Sequence, residues 1–124
     1  MKRLLVALVL LWPVTAMGVT FYTGSEIQED CVGTQPGEAN ANVSKYNSCV
    51  MYLAGLTDAA TTFSGWDHKN KRGAPEGSCI PKAVSQEQLR QVWLRYANQH
   101  PGKLHLTASG IALNAFEKAW PCKR

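Results

Sequence analysis

The chain has 124 residues and a formal net charge of +4, with 45% hydrophobic and 18% charged residues, which leaves room for one modest hydrophobic core and none for a second domain. Basic and acidic side chains nearly balance: without Lys2 and Arg3 there are 11 Lys and Arg against 9 Asp and Glu, so no polyelectrolyte partner is indicated. Nucleic-acid binding favours a clustered basic face. The one cluster, Lys69, Lys71 and Arg72, falls in a stretch that reads as a solvated loop.

Lys2 and Arg3 are followed by an apolar run over residues 4–11 and then by Ala16-Met17-Gly18, the order of a secretory signal peptide over residues 1–18 that is cleaved after Gly18. The run is about half of the roughly 20 residues needed to span a bilayer, and Pro13 interrupts it. No later stretch is continuously apolar for long enough to span, and no Cys stands close enough behind the run to be lipidated. The expectation is an exported protein with no membrane attachment after cleavage, and one helical domain over residues 19–124.

Ser25 follows Thr23-Gly24 and offers a cap for a short helix running to about Cys31. Residues 33–42, rich in Gly and Asn, read as a loop. From Val43 or Ser44 the pattern turns helical, with Cys49, Leu53, Leu56, Ala60 and Phe63 on one stripe. Gly55 inside this helix costs about 1 kcal/mol relative to Ala, which suggests a second backbone packed against that turn. Residues 64–78 carry Gly, Lys, Asn, Trp66 and Pro75 without periodicity and read as a long exposed loop. Ser85 with Gln88 makes a capping box, and Leu89, Val92, Trp93, Tyr96 and Ala97 continue as an amphipathic helix that Pro101-Gly102 stops. A last helix from Thr107 or Ala108 turns Ile111, Ala112, Ala115, Phe116, Ala119 and Trp120 inward and ends at Pro121. The fold class is all-α, a small bundle of about four helices.

All four cysteines, Cys31, Cys49, Cys79 and Cys122, follow the signal, and an oxidising destination implies two disulfides. The Cys31–Cys49 and Cys79–Cys122 loops have their midpoints at turns, residue 40 and His100-Pro101, so these pairings rank first, each near the open end of a helical hairpin. A Cys49–Cys79 bridge also has its midpoint near a turn, at Ser64-Gly65, and stays open as an alternative. Zinc is disfavoured, because no Cys-x-x-Cys or His-x-x-x-His spacing is present.

Catalytic chemistry is poorly supported. His68, His100 and His105 share no ligand spacing, Asp58 and Asp67 are isolated, and Glu26, Glu29 and Asp30 belong to one exposed helix face. No phosphate-binding glycine loop occurs. No catalytic residue, metal or cofactor is therefore expected, and binding is the leading class. The candidate partner-binding loop comprises Trp66, Asp67, Lys69, Lys71 and Arg72, an aromatic flanked by cations that suits an interface anchor. A Trp66 folded back over the core edge is the competing reading.

The order of motifs resembles the Rap/Tai family of type VI secretion immunity proteins. The matching stretches are Cys49 through Asp58, Cys79-Ile80-Pro81, Gln88 to Val92, Tyr96 to Pro101, Leu104-His105-Leu106 with Ala108, and Trp120-Pro121-Cys122, covering roughly residues 23–122. Nothing in residues 64–78 can be matched. The resemblance implies an all-helical, often homodimeric periplasmic protein that plugs the active-site cleft of a peptidoglycan-cleaving amidase effector. It also implies that Cys49, Tyr52, Gly55, Asp58, Cys79, Pro81 and Cys122 define the fold, while variable surface sets specificity. A general periplasmic binding or chaperone-like module is the alternative, and an enzyme would require a strongly shifted His or carboxylate in a pocket.

Overall fold

A computed structural model describes residues 21–33, 35–69 and 79–122, without side chains for residues 64–69; the expected signal peptide lies outside the described residues. Four helices succeed one another: α1 (Gly24–Cys31), α2 (Val43–Lys69), α3 (Gln86–Gln99) and α4 (Ala108–Ala119), with a single 3-10 turn at Pro101–Lys103. Among the described residues no β-strand occurs, only an isolated bridge between Thr23 and Thr107.

Trp93, Phe116, Ile27, Leu53 and the Cys31 and Cys49 pair are fully buried, one or more from each helix, and Leu89, Ala97, Ile111 and Ala112 complete the core around them. The apolar spacings of α3 and α4 deliver these residues to one side of each helix, except that Ala119, expected inward, is exposed. It lies in the last turn of α4.

The starts of α1, α2 and α3 are each capped by a side chain. Glu26 N donates to Thr23 Oγ1 (3.4 Å) while the Glu26 carboxylate accepts from Thr23 N (2.7 Å), so Thr23 is the cap of α1 and not Ser25. Ser25 sits within the first turn, where its N–H donates to the carbonyl of Leu104 (3.0 Å), and Gly24 N donates to Leu106 O (2.9 Å). The first donors of α1, which a helix cannot satisfy itself, are thus met by the turn between α3 and α4. Gly24 permits this approach: a Cβ there would stand 3.0 Å from the Leu104 carbonyl oxygen and overlap the end of Ile111. The Asn42 side chain accepts from Lys45 N at the start of α2 (3.1 Å), and the Ser85–Gln88 capping box of α3 forms as its sequence pattern predicts.

Cys31 pairs with Cys49 and Cys79 with Cys122, with Cα–Cα separations of 5.0 and 4.9 Å. The second bridge closes the open end of the α3–α4 hairpin, beside the bond from Cys79 N to Trp120 O (2.8 Å). The first does not sit at an open end. Cys31 is the last residue of α1 and Cys49 lies in the second turn of α2, so this bridge ties the hairpin beside its connecting loop.

Arg90, not among the inward residues expected for this helix, is only 7% exposed. Its Nε and Nη2 donate to the Glu87 carboxylate (both 2.8 Å) and its Nη1 to the carbonyls of Cys31 and Gly33, at the end of α1. Tyr46 O–H completes the cluster by donating to Glu87 (3.2 Å). Position 90 falls three residues before Trp93 and seven before Ala97, on the inward stripe, and that spacing was the available signal.

Candidate partner-binding surface

The two halves of α2 differ in environment. Cys49, Val50 and Leu53 are buried, whereas none of residues 54–63 is. At 1.5 Å per residue the 27-residue helix is about 40 Å long against about 21 Å for the 14-residue α3, so its distal turns outreach the helix they pack on. Phe63, expected at the end of the inward stripe, is 63% exposed.

Helix α2 runs to Lys69, so residues 64–69 are helical where the sequence suggested a loop. Thr57, Thr61 and Thr62 return hydroxyl bonds to the carbonyls of Leu53, Thr57 and Asp58, and Gly65 alone, at about 1 kcal/mol, is too small a penalty to end a helix already propagating. Trp66, Asp67 and Lys69 thereby belong to the last turns of α2. Lys71 and Arg72 lie outside the described residues, as does the remainder of the expected loop.

Gly55 has no described residue within 4 Å of a Cβ built on it, which overturns the expectation of a second backbone against that turn. Gly55 and Asp58 are both exposed, together with Met51 at 63%. Positions 51, 55, 58 and 62 form the outward line of α2, so Gly55 and Asp58 have no packing role within the described fold. Tyr52 does: its ring meets Tyr22 edge-on at 5.7 Å, joining α2 to the chain before α1.

Titratable groups point to scaffold. The Arg90 guanidinium holds the Glu87 carboxyl down at about 2, but this is an ion pair that clamps α3 to the end of α1 and is not in a cleft. Glu29 is lowered by its ion pair with Lys45, and Glu26 by the Thr23 backbone N–H of the capping box. His100 Nδ1 lies 2.8 Å from Tyr96 O and the imidazole stacks on the Tyr96 ring. Among the described residues no three His, Cys, Asp or Glu side chains are grouped to hold a metal ion, and no helix is long and apolar enough to cross a membrane.

Among curated proteins and solved structures, none matches the chain. A sequence profile for Rap1a immunity proteins matches residues 23–122. The match begins at Thr23, the cap of α1, ends at Cys122, the last bridging cysteine, and so spans all four helices and both disulfides. The chain belongs to the family of Rap1a immunity proteins, which are binding proteins and not enzymes.

Proposed function

We propose that this chain is a periplasmic immunity protein that binds a peptidoglycan-cleaving amidase effector of a type VI secretion system and occludes its active-site cleft. Membership of the family over residues 23–122 carries the reading. Three features support it. Residues 1–18 have the composition of a cleavable signal, both cysteine pairs are oxidised, which suits an exported protein, and α2 extends an exposed end carrying Phe63 beyond the core. The single domain over residues 19–124 would be the mature inhibitor, and Trp66, Asp67, Lys69, Lys71 and Arg72 its contact segment.

The same reading includes a homodimer in which the outward line of Met51, Gly55 and Asp58 faces a second copy, since a glycine with open space above it lets another backbone approach. Met51→Glu is expected to shift the sedimentation of a dimer to that of a monomer.

The test of function is direct. The purified chain is mixed with any secreted amidase found encoded beside its gene, and hydrolysis of peptidoglycan is followed. Stoichiometric inhibition, weakened by Trp66→Ala with Lys69→Ala, Lys71→Ala and Arg72→Ala while the circular dichroism stays unchanged, is the expected result. Absence of binding and of protection would overturn the proposal, and protection of unrelated clients from acid aggregation would favour the chaperone-like alternative.

A further inference from the structure

Charge is segregated along this chain. Residues 21–42 contain Glu26, Glu29, Asp30 and Glu38 and no Lys or Arg; residues 88–122 contain Arg90, Arg95, Lys103 and Lys118 and a single acid, Glu117. Two cations of the fold, Lys45 and Arg90, are paired with Glu29 and Glu87. Among the described residues no ion pair engages Arg95, Lys103 or Lys118, and all three are exposed.

These three cations line two depressions that share Tyr96 and together form a discontinuous groove beside α4. Its first depression, about 170 Å³, has Val92, Ala115 and Ala119 on its walls, with Arg95 and Lys118 at the rim. Its second, about 300 Å³, is walled by Leu106, Gly110 and Ile111, with Lys103 at the rim. Tyr96 lines both and divides them. The ring is held in place by the stacked His100 imidazole at 4.1 Å and by Lys118 Nζ 5.3 Å from its centre. Glu117, the one acid of α4, lines neither depression.

We propose that this groove docks an acidic amphipathic segment of the protein partner, with two apolar side chains seated on either side of Tyr96 and carboxylates meeting Arg95, Lys103 and Lys118. The inference rests on the reading that the partner is a protein effector, and adds a second contact surface to the end of α2. A small free anion is poorly matched, because the cations are distributed along the groove and do not converge on one point. The walls are apolar, and residues 110 and 119 are about 13 Å apart along α4. That span suits apolar anchors two to three turns apart on a bound helix.

Binding of the neighbouring amidase to the full mature chain, measured by titration calorimetry and stopped-flow, tests this. The triple variant Arg95→Glu, Lys103→Glu, Lys118→Glu is expected to bind roughly tenfold or more weakly, chiefly through slower association that becomes less salt-dependent. Ala119→Trp, at an exposed position, fills the first depression without changing charge and is expected to weaken binding through faster dissociation. Wild-type affinity, within about twofold, in both variants would overturn the groove while leaving the immunity reading intact. If the wild-type chain binds no amidase, the immunity reading fails, and the groove is decided by a synthetic helical peptide carrying Leu at i, i+4 and i+7 and Glu between them. Saturable amide shifts at Val92, Arg95, Ala115 and Lys118, absent in the triple variant, support the groove. No shifts there, or equal shifts produced by phosphatidylglycerol vesicles or by duplex DNA, overturn it.

Discussion

Arg90 shows how one side chain can fasten two helices. Its charge is compensated by Glu87, and its remaining donors go to backbone carbonyls at the end of α1, where a cation also suits the negative end of the helix. Arg90→Ala would leave those carbonyls without their side-chain donor and the Glu87 carboxylate without its paired cation, though still bonded by Tyr46 and Gln91, and should cost about 2–4 kcal/mol in urea unfolding. The pH dependence follows from Glu87. Its folded-state pKa, about 2, lies below the ordinary 4.5, so its contribution is complete above the unfolded value and fades as pH falls from 4.5 toward 2. The stability gap between the native chain and Glu87→Gln should therefore be constant at neutral pH and close over that interval. An undiminished gap at the acid end would contradict the assignment. Gly24 is the second such residue. Gly24→Ala is expected to cost about 1–3 kcal/mol through overlap with Ile111 and the Leu104 carbonyl, and clearly less in an Ile111→Val background, where the overlapping methyl is gone.

At the scale of elements, α1, α3 and α4 were legible because their ends carry chemistry that acts locally: side-chain caps at Thr23 and Ser85, and Pro101 and Pro121 beyond the C-termini. Even so, the cap of α1 is Thr23 and not Ser25, a choice that the Thr23-x-x-Glu26 capping-box spacing already carried in the sequence. The distal end of α2 was not legible for a different reason. Sequence periodicity reports burial, and a helix that has left the core has no burial to report. Polar composition over residues 64–69 was then mistaken for a loop. The overhang predicts a gradient in hydrogen exchange: at low protein concentration, amides of residues 57–63 should exchange roughly a hundredfold faster than those of residues 49–53. A protection that rises with concentration would report the proposed pairing through α2.

For the molecule as a whole, the two disulfides contribute unequally, and loop length does not decide which is greater. Closing 43 residues instead of 18 favours the Cys79–Cys122 bridge by only about 0.8 kcal/mol of chain entropy. Cys31 and Cys49, however, are both fully buried while Cys79 is exposed, and loss of two packed sulfurs from the core amounts to about 2 kcal/mol or more. Cys31→Ala with Cys49→Ala should therefore lower the unfolding midpoint further than Cys79→Ala with Cys122→Ala; the opposite order would show that chain entropy dominates. The binding surfaces were less legible than the scaffold. Arg95, Lys103 and Lys118 are scattered in sequence and come to neighbouring depressions only in the folded chain, whereas Trp66 and its neighbours drew notice by being adjacent.

The joining of α1 to the α3–α4 turn bears on how the chain can be matured and tagged. Tyr22 O accepts from Ala108 N (2.8 Å), and Thr23 caps α1. Peptidase trimming that stops at Phe21 keeps every one of these bonds. Loss of Phe21 and Tyr22 removes the lock on α4, and loss of Thr23 as well removes the cap of α1. The permissible ragged end therefore closes at residue 22, and a fusion partner placed before Phe21 leaves the junction whole.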